Sequence, residues 1–204
     1  MPLMRKLLLA TTNRGKAAEY RAMLAGLDLE LITLDQAGID QEAPEDYPTF
    51  EQNARSKAVF YSALSGLLTL ADDSGLEVEA LGGEPGVRSS RYAGDNATDA
   101  DRVNFLLAKM KDIRKEARQA RFRCVIAIAE PGGQVHCTEG ECRGTIAFRP
   151  EGDNGFGYDP IFYVPEYNQT IAQLPPEVKN RISHRGRAAS KAVTILKGLS
   201  VISG

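Results

Sequence analysis

Four short stretches of this 204-residue sequence gather residue types that can do chemistry. In the first, Thr11-Thr12-Asn13-Arg14-Gly15-Lys16, hydroxyl and amide side chains and a lysine fall where an apolar run gives way to a helical pattern. The amides of a helix start point outward with partial positive charge, so this junction suits an anion, to which Lys16 adds a full charge. It is not a P-loop, because the first glycine of that motif is missing. In the second stretch, Asp72-Asp73-Ser74-Gly75, two carboxylates end an apolar run. Buried together they would repel each other and lose hydration unless a cation neutralised them. Mg²⁺, which takes a few carboxylates plus waters and phosphate oxygens, is the natural one. Neighbours along a strand face opposite sides, so Asp72 and Asp73 are expected to differ in role, although the residues alone do not say which accepts a proton. The acidic loop before them offers Glu42, Glu45 or Asp46 as a further carboxylate, and its spacing does not choose among them.

The third stretch runs from Gly152 to Pro160 and contains Phe156-Gly157-Tyr158-Asp159. Its glycines let backbone approach a ligand, and its aromatic rings offer flat faces on which a heterocycle could stack. A packed turn with core aromatics is the competing reading. The fourth is Lys179 followed by Ser183-His184-Arg185, near the expected start of the last helix. Arg185 can hold a phosphate or carbonyl oxygen with its planar fork, Lys179 supplies a point charge, and His184 can donate to an oxygen or ring, a binding role rather than proton transfer. One nucleotide would engage all four stretches.

Elements that position these residues can be read from the hydrophobic pattern. Lys6 to Thr11 reads as a strand, followed by a loop and a helix with Tyr20, Met23 and Leu24 on one side. Leu29 to Leu34 reads as a second strand, and Thr49-Phe50-Glu51-Gln52 as a capping box opening a helix to about Ser65. Leu67 to Ala71 reads as a buried strand that turns at Asp72 to Gly75, and Gly82 to Gly86 as a turn region. Thr98 can cap a helix to about Arg114. Ala120 to Ala129 and Val135 to Glu141, joined by Pro131-Gly132-Gly133, read as a hairpin that would form a second lobe. A final helix is expected from near Ser183 to about Lys197.

Composition narrows the function. With 25 Lys plus Arg against 27 Asp plus Glu, a net charge of -2 gives no global field for a nucleic-acid backbone, so nucleic acid is not expected as a partner. No apolar run approaches the roughly 18 residues of a membrane span, and the first residues lack the order of a signal peptide; a cytoplasmic location is expected. Cys124, Cys137 and Cys142 are odd in number and lack CxxC spacing, which speaks against disulfides and structural zinc. GxSxG is absent, so a Ser-His-Asp hydrolase is not expected either.

Six motifs, in order, carry a resemblance to the inosine triphosphate pyrophosphatase family: Thr11 to Lys16, Phe50-Glu51-Gln52-Asn53-Ala54, Ala71-Asp72-Asp73-Ser74-Gly75-Leu76, Gly82-Gly83-Glu84-Pro85-Gly86-Val87, Phe156-Gly157-Tyr158-Asp159-Pro160 and Ser183-His184-Arg185. The resemblance spans nearly the whole chain. It implies an α/β fold with an elongated central mixed sheet and flanking helices, two lobes around a nucleotide cleft, formed by residues 1–204 as a single bilobal domain. It further implies Mg²⁺ dependence, a homodimer, and hydrolysis of inosine, deoxyinosine or xanthosine triphosphate to monophosphate and pyrophosphate. By this resemblance Thr11, Thr12, Asn13, Arg14, Gly15 and Lys16 would hold the triphosphate, and Asp73 would bind metal with Glu45 and accept the proton of the attacking water. Ser74 would touch substrate, Phe156, Gly157, Tyr158 and Asp159 would stack on and frame the base, and Lys179, His184 and Arg185 would read its 6-oxo edge. The rivals are a pyrophosphatase for modified pyrimidine or ordinary nucleotides, which would differ in the base loop, and a non-catalytic nucleotide sensor, which the Asp pair disfavours.

Overall fold

The computed structural model describes residues 5–202. In chain order its main elements are β1 (Arg5–Leu9), α1 (Arg14–Leu24), β2 (Leu29–Thr33), α2 (Phe50–Ser65), β3 (Leu68–Val78), α3 (Asp99–Lys109), β4 (Gln119–Ala129), β5 (Val135–Ile146), β6 (Phe162–Val164), β7 (Gln169–Thr170), α4 (Pro176–Ile182) and α5 (His184–Ile202). The strands form one mixed sheet in the order β2-β1-β3-β4-β5-β6-β7. Pairing is parallel from β1 to β2 and β3, and antiparallel from β5 through β6 to β7. The parallel end explains why Leu7-Leu8-Leu9 shows no alternation: a parallel strand covered on both faces is apolar throughout.

Helix starts follow the side chains that cap them. Asn13 Oδ1 accepts the Lys16 N–H at 3.0 Å and opens α1, and Thr49 Oγ1 accepts the Gln52 N–H at 3.2 Å and opens α2. Only half of the expected box forms there, because the Gln52 side chain takes the Thr49 hydroxyl, at 3.0 Å. Thr98 and Asp101 make a complete box at α3.

Four expectations are corrected. The strand expected to turn at Asp72 runs on to Val78, so Asp72-Asp73-Ser74-Gly75 lies inside β3; sheet pairing overrides the local turn preference of Ser-Gly. Helix α3 stops at Lys109 rather than Arg114, because the buried Arg118 guanidinium draws in the carbonyls of Met110 and Ile113 at 2.9 and 3.2 Å. At the end of the chain there are two helices: Pro176 sits in the first turn of α4, and Ser183, extended at ψ 160°, separates it from α5. The hairpin is longer than expected, and it is no lobe of its own.

The chain divides into two compact units, the described parts of Met1–Asp73, Cys124–Gly140 and Arg185–Gly204 in one, and Ser74–Arg123 with Glu141–His184 in the other. Strands β3, β4 and β5 each pass from one unit to the other, so the hairpin is shared. The first unit has a core of Leu7, Leu9, Tyr20, Leu70, Ile126, Ala188 and their neighbours; the second packs Leu76, Leu106, Phe122, Tyr158, Ile161 and Phe162. Cys124 and Cys142 are buried and all three cysteines are free thiols.

Candidate active site

In the first unit the adjacent aspartates of β3 meet different neighbours, as strand alternation requires. The Asp72 side chain is only 1% exposed. Its Oδ2 accepts Lys16 Nζ at 2.8 Å and lies 3.8 Å from Arg185 Nε and from Cys124 Sγ. Its Oδ1 is buried without a hydrogen-bond partner. Burial alone would raise the Asp72 carboxyl, but Lys16, Arg185 and Lys57 outweigh it and hold the group well below the usual carboxylate range. Arg185 Nη1 in turn donates to Glu19 Oε2 at 2.6 Å. Burial, and then Asp72, push the neighbouring Cys124 thiol up to about 12, which keeps it neutral.

Asp73 is held from α2. Asn53 Nδ2 donates to Asp73 Oδ2 at 2.9 Å, and Asn53 is itself clasped by the Tyr47 backbone, accepting its N–H at 3.0 Å and donating to its carbonyl at 3.1 Å. One turn further along the same face, Lys57 Nζ donates to Glu45 Oε1 at 2.6 Å. Burial raises the Asp73 carboxyl; Lys16, Lys57 and the Asn53 hydrogen bond pull the other way, Glu45 adds to the rise, and the net shift is upward.

Among the described residues no group of three or more His, Cys, Asp or Glu side chains is placed to hold a metal. A hard divalent ion of the Mg²⁺ type does not need one, since it keeps several waters and takes one or two carboxylates plus substrate phosphates. Asp73, disfavoured as an anion by burial and by the charge of Glu45, fits that pattern, because a nearby cation offsets both effects. Of the three acidic candidates in the preceding loop, Glu42 and Asp46 are exposed and Glu45 is partly buried.

At the β1–α1 junction, Thr11 Oγ1 accepts the Asn13 N–H at 3.2 Å, and Thr12, Asn13 and Arg14 are exposed. Gly15 and Lys16 are partly buried, and Lys16 Nζ pairs with Asp72.

The second unit holds the aromatic loop. Phe156 is partly buried, with Lys179 Nζ 4.6 Å from its ring centroid. The Asp159 carboxylate accepts the Phe156 N–H at 2.9 Å and pairs with Lys179, both charged side chains being 5% exposed. Gly155 has a positive φ of 80°, and a Cβ there would run into Asp159 Oδ2 and Lys179 Nζ, so only glycine leaves room for the pair. The Gly157 N–H donates to Asp99 at the start of α3, at 2.7 Å. Tyr158 has its ring in the core, as the competing packed-turn reading has it, and its hydroxyl donates to Ser89 O at 2.9 Å. Ser74 is partly buried on β3. His184, the first residue of α5, is buried and stacks on Phe122 at 4.6 Å. Arg185 belongs to the other unit, where Glu19 and Asp72 meet its charge.

Sequence reasoning missed Asn53, Lys57 and Glu19 as supports of the site. For the first two a signal existed, since a buried Asn and Lys spaced i, i+4 share the otherwise apolar face of Phe50, Ala54, Ala58 and Tyr61.

Comparison with known proteins places the chain. The profile of the Ham1 family matches residues 7–195. A dITP/XTP pyrophosphatase of Desulforamulus reducens is 48% identical over 196 residues, 96% of this chain and 98% of that protein. One from Bacillus subtilis is 41% identical over 197 residues, 97% of this chain and 100% of that protein. The solved structure of a HAM1 protein from Coxiella burnetii matches with a TM-score of 0.87 at 43% identity, covering 96% of this chain and all of that one. Similarity along essentially the full length, in sequence and in fold alike, makes this chain a member of the Ham1 family.

Proposed function

We propose that the chain hydrolyses damaged purine nucleoside triphosphates, those of inosine, deoxyinosine and xanthosine, to the nucleoside monophosphate and pyrophosphate, removing them from the precursor pool. The observation that carries this reading is the pair of neighbouring carboxylates on β3, Asp72 locked among cations and Asp73 held by Asn53 near Glu45. One carboxylate of such a pair can organise charge while the other works on water. The relatives named dITP/XTP pyrophosphatase support the same assignment.

Phosphoryl transfer asks a protein mainly for positioning and charge neutralisation. Thr11, Thr12, Asn13, Arg14, Gly15 and Lys16 meet the triphosphate with backbone amides, side-chain donors and a cation. Asp73 and Glu45 are the residues that would hold Mg²⁺, which when bound offsets phosphate charge and favours ionisation of water. Asp73 accepts the proton of the water that attacks the α-phosphorus, and pyrophosphate leaves. Ser74 contacts the substrate. Phe156 stacks on the base, Gly157, Tyr158 and Asp159 frame it, and Lys179, His184 and Arg185 read the 6-oxo edge. A donor aimed at that oxygen would face the 6-amino donor of adenine, and a site built on such a bond discriminates by about 10⁴-fold or more.

The reading of the chain as a single bilobal domain is supported by the three strands that run through both units. A homodimer and a cytoplasmic location complete the proposal, the former resting on the family resemblance and the latter on composition; among the described residues no helix is long and apolar enough to cross a membrane. Asp73→Asn tests the reading. Turnover of inosine triphosphate is expected to fall by about 10²-fold or more while nucleotide binding persists, and an active Asp73→Asn protein would overturn the assignment.

A further inference from the structure

His184 lies on a column of rings inside the second unit. Its imidazole is stacked on the Phe122 ring, with centroids 4.6 Å apart and planes within 13°. Behind Phe122, Phe162 follows at 4.5 Å. The column cannot retreat, because Phe162 fills the space a side chain at position 144 would need: a Cβ on Gly144 would stand 2.7 Å from Phe162 Cε1. Phe122 is itself fixed by strand alternation, with Arg121 and Arg123 on the other face of β4 paired to Glu77 at 2.6 and 3.4 Å. A ring N–H donates in the plane of its ring, and hydrogen bonds weaken steeply as the angle closes. The plane of His184 therefore sets where its donor points, and a flat neighbour in face contact prevents it from tilting.

We propose that Phe122 is a specificity-determining positioning residue, whose ring fixes the plane of the His184 imidazole and so aims it at the 6-oxo edge of the purine. The inference rests on the pyrophosphatase reading of the site. Phe122 touches no substrate; it acts through His184. An aliphatic side chain of similar bulk keeps the core filled but lets the imidazole rotate.

The test uses the full chain with Mg²⁺, comparing wild type with Phe122→Leu and Phe122→Met, each checked for folding by circular dichroism. The ratio of kcat/KM for inosine over adenosine triphosphate is expected to fall roughly tenfold to a hundredfold, with the loss carried by the KM for inosine triphosphate. The chain has only two histidines, so the ring protons of His184 are readily told from those of His136 by NMR. Those of His184, shielded by the Phe122 ring, are expected to move downfield in both variants while those of His136 stay. A folded variant with the wild-type ratio, or with unmoved His184 signals, overturns the inference and leaves the pyrophosphatase reading intact. Absence of inosine triphosphate turnover in the wild type overturns both.

Discussion

Removing the charge of Asp72 or of Asp73 should have opposite effects on the stability of the metal-free protein, although the two residues are adjacent. Asp72 sits 2.8 Å from Lys16 and 3.8 Å from Arg185. At an effective dielectric of about 20 these distances correspond to about 6 and 4 kcal/mol of attraction, from which the cost of burying three charges must be subtracted. Asparagine at position 72 removes the attraction but leaves Arg185 buried. Loss of one partner from a buried pair typically costs about 3–5 kcal/mol, and because Glu19 still meets Arg185 and Lys16 can swing toward water, the lower end, about 3 kcal/mol, is expected. For a chain of this size that is a fall of roughly 6–12 °C in Tm. The pH dependence follows from the direction of the shift. A carboxyl held below its ordinary value of 3.8 contributes stability that is complete above that value and is lost as the pH falls through its folded pKa, so the gap between wild type and Asp72→Asn should be full at pH 7 and close in acid. Asp73 is shifted upward, so its ionisation opposes folding at neutral pH, and Asp73→Asn should be as stable as wild type or more so. Urea unfolding in the presence of a chelator measures both. If Asp72→Asn matches wild type at pH 7, or if the two variants are destabilised equally, the division of labour drawn here is wrong.

Two further changes probe the metal and base groups. Glu45→Gln should raise the Mg²⁺ concentration for half-maximal turnover by at least about tenfold, measured by titrating the metal at saturating nucleotide; an unchanged midpoint would remove Glu45 from the metal site. Gly155→Ala forces a left-handed residue, at roughly 1–2 kcal/mol, and pushes against the Asp159–Lys179 pair, so KM for inosine triphosphate should rise with kcat less affected. Steady-state kinetics that show an unchanged KM would place that pair outside base recognition.

Much of the fold was legible because local signals and packing agreed. Thr49 and Thr98 cap the helices they were expected to cap, and the apolar run at Leu7 marks the parallel end of the sheet. Where the reading failed, a distant partner had overruled the local sequence. Ser74-Gly75 looks like a turn but is held in β3 by its place in the sheet, and the end of α3 is set by Arg118, a residue no helix rule would consult. The candidate site was legible as motifs and illegible as a network. Residue types pointed to Lys16 and the Asp pair, but the ion pair between Lys16 and Asp72 joins positions 56 residues apart and Asn53 to Asp73 joins positions 20 apart, separations that no spacing rule spans. For Tyr158 the residues left a base-facing ring and a packed core aromatic both open, and its burial shows the ring packed in the core.

The most direct test of the central claim is pyrophosphate release from inosine, xanthosine, guanosine and adenosine triphosphates, each with and without Mg²⁺. The account predicts rapid Mg²⁺-dependent release from the first two and little from the others. Orthophosphate as the product, equal rates on all four bases, or binding without turnover would contradict it.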